Sequence, residues 1–334
     1  MTTVFLLGAG FSKSVHDCMP TLPELRDLVL ARLGADGVKP DLRAFQDDLE
    51  QWMSYLAADQ PWLTDAENLQ NRATFLTVAQ EINAVVEERE LLARQAHGMN
   101  PPDWLMRLVE AWSDTEVGII TFNYDLLVER ALNELGRLGT LGDLYPLPLT
   151  TRFPAGSSAF LSSGPPTQPV PRLLKLHGST NWRFGGSTAP VTEELYLTEN
   201  RAVWDPASAS PRSDAPREAF RFAHKIPLII PPTGAKGGWY ANLALRAQWR
   251  HAAEEIRRCE QLVVIGYSFP ATDLLVRHLV AQHLPTTSRV EVVDLSRAPA
   301  AALSDLLRRP VVQRFDGRTA VHDFAVNHAG KDAH

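Results

Sequence analysis

Two short stretches carry residue types able to break a bond to a nucleotide: Thr121-Phe-Asn-Tyr-Asp125 and Leu176-His-Gly-Ser-Thr-Asn-Trp182. An asparagine amide can hold a water or a ribose hydroxyl, and a histidine can take a proton near neutral pH. A carboxylate can steady developing positive charge. Both stretches follow apolar runs of strand length, Val117 to Ile120 and Leu173 to Leu176. They therefore belong at the carboxyl edge of a parallel sheet, where α/β folds bind ligands. A third segment, Val4-Phe-Leu-Leu-Gly-Ala-Gly-Phe-Ser12, is a strand running into a glycine turn. Free N–H groups at the start of the following helix attract a pyrophosphate. Together these segments describe a site for cleaving something attached to a dinucleotide.

Each signal also has a plain structural reading. The third position of a dinucleotide fingerprint is Lys13 rather than glycine, so Gly8-Ala-Gly10 also suits a tight turn. Asp125 immediately precedes Leu126-Leu127, where a helix cap explains it equally well. His177 and Gly178 follow a buried strand on the same edge as Asn123, which makes His177 the general-base candidate. Gly266-Tyr-Ser-Phe-Pro270 ends another strand with a small residue and a hydroxyl, Gly266 and Ser268, suited to ribose or phosphate. Asp294 ends a further strand, where its carboxylate can accept from ribose hydroxyls or an adenine amine.

The elements that must position these residues can be read in order. Val4 to Leu7 is the first strand, and Thr21-Leu-Pro-Glu24 is a capping-box pattern opening a helix to about Gly34. Residues 35–114 read as a helical insertion, with Trp104, Leu105, Leu108, Val109 and Trp112 on one apolar face. A helix spans Leu126 to Leu135. Residues 145–225, broken by Pro206, Pro211 and Pro216, form a smaller loop-rich module that carries His177. Regular alternation resumes with strand Ile226 to Ile230, helix Asn242 to Arg258, strand Leu262 to Ile265, helix Asp273 to His283 and strand Val290 to Val293. The expected fold class is α/β: a doubly wound, Rossmann-like parallel sheet in one domain over residues 1–330, with frayed last residues Gly330 to His334.

Composition narrows the function classes. A net charge of −6 over 334 residues argues against strong autonomous nucleic-acid binding, although Arg257-Arg258 or Arg308-Arg309 could belong to a local patch. Cys18 and Cys259 are the only cysteines, too few for a four-cysteine zinc ribbon and consistent with a reducing cytoplasm. No stretch approaches the roughly 20 apolar residues of a membrane helix, and the Val4 to Leu7 run lacks a basic leader.

As an ordered set, Gly8-Ala-Gly10-Phe-Ser12, Thr121-Phe-Asn123-Tyr-Asp125, His177-Gly178, Gly266-Tyr-Ser268 and Asp294 resembles the sirtuin (silent information regulator 2) superfamily. The strings Lys175-Leu-His-Gly-Ser-Thr-Asn-Trp182 and Ile265-Gly-Tyr-Ser-Phe-Pro270 are similar to its bacterial branch associated with phage defence. The resemblance implies NAD+ as substrate, with Gly8, Ala9, Gly10 and Ser12 at the pyrophosphate and Asn123, Asp125 and His177 at the nicotinamide ribose. Gly266 and Ser268 would contact the cofactor, and Asp294 the adenosine half. The four-cysteine zinc module of deacylating sirtuins is impossible here, and Met19-Pro-Thr-Leu-Pro23 stands where they carry Gly-Ile-Pro-Asp-Phe-Arg.

The expected activity is therefore NAD+ hydrolysis to nicotinamide and ADP-ribose, without zinc, as the effector of abortive infection. An NAD-dependent deacylase or ADP-ribosyltransferase, and a non-catalytic nucleotide-sensing subunit, are the alternatives. Restraint of a toxic hydrolase implies a homo-oligomer or a hetero-complex. By resemblance the partner is a HerA-type ATPase or a short Argonaute; the Trp104, Leu108 and Trp112 face either serves as the assembly surface or packs against the parallel sheet.

Overall fold

Alternate residues of each inner strand enter opposite layers, and both layers are buried. The computed structural model describes residues 2–35, 42–115, 117–138, 141–147, 151–152, 171–185, 195–198, 202–208, 225–233 and 239–329. Along the chain come β1 (Thr3–Leu7), α1 (Ala9–Val15), α2 (Leu22–Ala35), α3 (Leu49–Ala57), α4 (Asp65–His97) and α5 (Asp103–Asp114). Next are β2 (Gly118–Thr121), α6 (Leu127–Glu134), α7 (Leu141–Leu144), β3 (Thr151–Arg152), β4 (Arg172–Lys175), β5 (Gly178–Phe184), β6 (Leu195–Leu197) and β7 (Ile226–Ile229). The chain then runs through α8 (Leu243–Arg258), β8 (Gln261–Ile265), α9 (Leu274–His283), β9 (Arg289–Asp294), α10 (Ala298–Leu307), β10 (Val312–Asp316) and α11 (Ala320–Ala329).

Six of these strands form one sheet in the order β10-β9-β8-β1-β2-β4, with every neighbouring pair parallel. This is the doubly wound order, and the chain direction of sheet-building reverses between β1 and β8. The register aligns Lys175, Thr121, Leu7, Ile265 and Val293 in one row across the carboxyl edge. The segments that follow them, including His177, Asn123, Gly8, Gly266 and Asp294, therefore emerge side by side.

Phe5, Leu7, Ile119, Leu173, Val263 and Ile265 join the core on one face of the sheet, with α5, α6 and α11. Val4, Leu6, Ile120, Leu174, Leu262 and Val264 join the core on the other, with α8, α9 and α10. A third cluster links α2, α3 and α4 through Val29, Leu33, Trp52, Met53, Val78 and Ile82. The helix α4 begins with a reciprocal capping box between Thr64 and Glu67. At the start of α2 the Glu24 carboxylate returns to the Thr21 N–H at 2.8 Å.

Two expectations are corrected here. The Trp104, Leu108 and Trp112 face is not an exposed assembly surface: Trp112 is fully buried, with its ring 5.0 Å from that of Phe5. The sheet itself absorbs these aromatics. Ile226–Ile229 is a strand, but it leaves the parallel sheet and pairs antiparallel with β5 in a second sheet of order β3-β6-β5-β7. Beyond Asp294, where the sequence reading stopped, α10, β10 and α11 complete the fold. Val-Gln-Arg-Phe-Asp of β10 is an edge strand without an apolar run, so periodicity could not reveal it. Most of the loop-rich module, including Pro211 and Pro216, and residues 330–334 lie outside the described residues. Among the described residues no helix is long and apolar enough to cross a membrane.

Candidate active site

The β1–α1 turn packs against the β8–α9 turn at the reversal point of the sheet. A Cβ on Gly8 would sit 2.5 Å from Gly266 O, and one on Gly10 would sit 2.8 Å from Gly266 Cα. Gly266 has φ +62°, and its own Cβ would meet Phe11 N at 2.3 Å. Close contact between the two turns thus explains all three glycines. The expectation of free N–H groups there needs correction. Gly8 N–H donates to Ile265 O, Gly10 N–H to Gly266 O and Phe11 N–H to Gly8 O, at 2.9 to 3.0 Å.

Beside this turn the β2 motif folds inward. Asn123 Nδ2 donates to Gly8 O at 2.8 Å and to Ser12 Oγ at 2.9 Å. Both amide hydrogens are spent, so what Asn123 offers a ligand is the Oδ1 acceptor. Ser12 Oγ in turn donates to Asp125 Oδ2 at 2.6 Å. Ser12 thus acts as a buried relay rather than a surface contact. Asp125 Oδ1 also accepts from Leu127 N–H at 3.3 Å, so the helix-start role and the cavity role coexist in one carboxylate. Burial above all, with the charge of Glu90, pushes the Asp125 carboxyl up to about 6, against the opposing pull of Lys175 and the Ser12 hydrogen bond.

His177 sits at the corner where β4 of the parallel sheet becomes β5 of the smaller one. Gly178 makes the corner possible, at φ +80°, since a Cβ there would lie 2.0 Å from Leu228 O. The His177 carbonyl accepts from Ile230 N–H at 2.7 Å, and its ring lies 5.1 Å from that of Phe122. Phe122 stacks in turn on Tyr267 at 4.4 Å. Tyr267 and Phe269 turn inward, leaving the intervening Ser268 exposed.

These residues open on one cavity of about 1040 Å³. Its wall includes all ten residues expected from the sequence: Gly8, Ala9, Gly10, Ser12, Asn123, Asp125, His177, Gly266, Ser268 and Asp294. Asp294 stands at the far end, raised above the usual carboxylate range by burial, with Oδ1 accepting from Ser296 N–H at 3.1 Å.

Sequence reasoning missed the support behind this wall. Lys175 is 1% exposed, and its Nζ donates to Asp125 O at 2.5 Å and to Glu129 Oε1 at 2.8 Å. Tyr145 donates to the same Glu129 oxygen at 2.8 Å, and the Lys175 N–H donates to Gln248 Oε1 at 2.9 Å. The available signal was a lysine inside the apolar run Leu173 to Leu176, since a buried strand tolerates a charge only when it is paired. Glu50, Tyr124, Tyr267 and Asp273 also line the cavity and were not anticipated. Tyr267 donates to Asp273 Oδ2 at 2.6 Å, and Thr272 donates to Glu50 Oε2 at 2.9 Å.

A family model described as a SIR2-like domain matches residues 117–289, more than half of the chain. The chain belongs to the SIR2-like family. No curated protein matches it. Solved structures similar to this SIR2-like chain include a Sir2 homologue in complex with NAD, at 15% identity and TM-score 0.45, covering 99% of this chain and 90% of that one. A Sir2 homologue mutant in complex with ADP-ribose has 16% identity and TM-score 0.45, with coverage of 99% and 92%. A structure from work on the mechanism and regulation of Sir2 enzymes has 14% identity and TM-score 0.43, with coverage of 99% and 92%.

The matched span contains the β2 motif, His177 and the Gly266 turn, but not β1 or Asp294. Within this SIR2-like chain the side chains around the cavity can accept a hydrogen bond (Asn123 Oδ1), take a proton (His177) and present a buried carboxylate (Asp125). That set suits removal of a good leaving group from a sugar carbon with water as nucleophile.

Proposed function

We propose that the chain hydrolyses NAD+ to nicotinamide and ADP-ribose. The observation that carries this reading is the opening of Asn123, Asp125 and His177 on one cavity beside the β1–α1 turn. About 1040 Å³ lies at the upper end of ligand-pocket sizes and has room for a dinucleotide. NAD+ brings a cationic leaving group, so nicotinamide departs without an acid. Asn123 Oδ1 holds the attacking water or the ribose hydroxyl. His177 accepts the proton that water releases, a contribution of about 10²–10⁴-fold. The Asp125 carboxylate, ionised above about pH 6, offsets the positive charge that grows on the ribose.

Gly8, Gly10, Gly266 and Ser268 would border the pyrophosphate and Asp294 the adenosine. With two cysteines the chain cannot supply a four-cysteine zinc set, which favours water over an acyl-lysine acceptor. In the cell this activity is that of an abortive-infection effector. It works as a homo-oligomer or beside a HerA-type ATPase or short Argonaute.

Purified protein incubated with NAD+ alone should release nicotinamide and ADP-ribose. Asn123→Ala and His177→Ala should each remove turnover while the far-ultraviolet circular dichroism stays unchanged. Turnover that requires an acyl-lysine peptide would establish the deacylase reading instead. NAD+ binding without turnover would establish a sensing subunit.

A further inference from the structure

The loop between α1 and α2, residues 16–21, forms part of the wall of the large cavity, together with Lys13 of α1. We propose that Lys13 is a positioning residue for the dinucleotide: paired with Glu24 of α2, it holds this loop in shape before any ligand arrives. The inference rests on the NAD+ reading of that cavity.

Lys13 stands where a dinucleotide fingerprint carries its third glycine. A lysine beside a glycine turn invites the role of a phosphate contact, but this ammonium is committed elsewhere. Lys13 Nζ donates to Asp17 O at 3.0 Å, to Met19 O at 3.4 Å and to Glu24 Oε1 at 2.7 Å, with Glu24 Oε2 at 3.0 Å. An ammonium has three donors, and the loop and α2 use all three. Glu24 works from the other side. Its Oε2 accepts from Thr21 N–H at 2.8 Å and from Thr21 Oγ1 at 2.7 Å. The capping box of α2 and the lysine of α1 thus meet at one carboxylate. Within the loop, Met19 N–H donates to His16 O at 3.0 Å, and Cys18 N–H donates to His16 Nδ1 at 3.1 Å. The Met19 side chain, 2% exposed, anchors the loop in the core shared with α5 and α6.

Exposure decides which of these bonds matters. The Lys13 and Glu24 side chains are 30% and 48% exposed, so their ion pair taken alone contributes little. The bonds to the loop contribute more, because charge-assisted hydrogen bonds to carbonyls and to a backbone N–H fix main chain directly. Released from them, the loop would have to give up its freedom each time a dinucleotide bound. A site that is formed in only a fraction of molecules has its affinity reduced by that fraction. The clamp therefore acts on the binding of NAD+ and leaves the chemical step alone.

Steady-state NAD+ turnover and calorimetric titration with ADP-ribose, on the full chain and its variants, test this. Lys13→Met keeps an unbranched side chain and a good helix former. Glu24→Gln keeps a capping-box partner for Thr21 and removes the charge that holds Lys13. Lys13→Met should raise the KM for NAD+ and the Kd for ADP-ribose about tenfold, with kcat within about twofold, the loss of a charge-assisted hydrogen bond felt in binding alone. Glu24→Gln should move both constants the same way by less, and the double variant should match Lys13→Met, because the two residues act as one clamp. Amide hydrogen exchange at Cys18, Met19 and Thr21 should quicken in Lys13→Met without ligand. Tighter binding in Glu24→Gln would mean that a released Lys13 reaches the phosphates, and would overturn the positioning role. Unchanged KM and Kd in Lys13→Met would overturn it as well, and NAD+ turnover by the unaltered protein would leave the proposed function standing. An unaltered protein that neither binds ADP-ribose nor cleaves NAD+ would overturn that function and this inference with it.

Discussion

The Ser12 hydroxyl donates to Asp125 Oδ2 at 2.6 Å while accepting from Asn123 Nδ2 at 2.9 Å. One side chain from α1 thereby couples the amide and the carboxylate of the β2 motif and fixes which amide atom faces the cavity.

Ser12→Ala should therefore cost more than a buried hydroxyl alone. It removes a donor to a buried carboxylate and an acceptor from a buried amide, for about 1–3 kcal/mol of stability. Because that hydrogen bond favours the ionised form, its loss should move the Asp125 carboxyl further up. The acidic limb of the pH–rate profile should shift to higher pH. Loss of stability with an unmoved acidic limb would mean that Ser12 only packs.

Asp125 makes stability depend on pH in a direction that can be worked out. Its folded-state value, about 6, stands above the 3.8 of an unperturbed aspartate. Between these values the native state holds a proton that the unfolded chain releases. The contribution is fully present below about pH 4 and is lost as pH rises through about 6. Asp125→Asn removes this dependence. Urea denaturation should show the variant gaining on the wild type by up to about 3 kcal/mol between pH 4 and pH 7. A stability difference that is flat with pH would contradict the raised carboxyl.

How much of this was legible in the sequence depends on which interaction fixes each part. The row of strand ends was legible because Val4 to Leu7, Val117 to Ile120, Leu173 to Leu176 and Leu262 to Ile265 are largely apolar runs leading into glycine, asparagine or histidine motifs. All ten candidate residues reach one cavity for that reason. The role of Ser12 was not legible. Its position beside the glycine turn suggested phosphate contact, whereas its partners, Asn123 and Asp125, follow a strand more than a hundred residues away. Trp104 and Trp112 left two readings open because an amphipathic helix looks the same whether its apolar face meets a sheet or another subunit. Ile226 to Ile229 could not be assigned to a sheet by composition, since pairing with β5 depends on the bend at Gly178.

Lys175 should behave as a buried ion-pair partner that also positions the β2 turn. Lys175→Met leaves Glu129, itself 1% exposed, without its cation, which costs about 3–5 kcal/mol. Adding Glu129→Gln should recover most of that loss. The clamp on Asp125 O stays broken in the double variant, so NAD+ turnover should remain low although stability returns. Equal recovery of both would reduce Lys175 to a purely structural role.

Gly178 links the fold to His177 most directly, and Gly178→Ala tests that link. At φ +80° any side chain is strained, and the new Cβ would lie 2.0 Å from the Leu228 carbonyl, so β5 and β7 must separate there. The neighbouring His177 carbonyl loses the register in which it accepts from Ile230 N–H. The six-stranded sheet does not depend on this pairing, because β4 is held by β2 through residues 172–175. The variant should therefore keep its helical circular dichroism and a cooperative melt while NAD+ turnover falls about a hundredfold or more, the scale of a displaced general base. A folded Gly178→Ala protein with wild-type turnover would mean that the corner does not set the position of His177, and would remove His177 from the proposed chemistry.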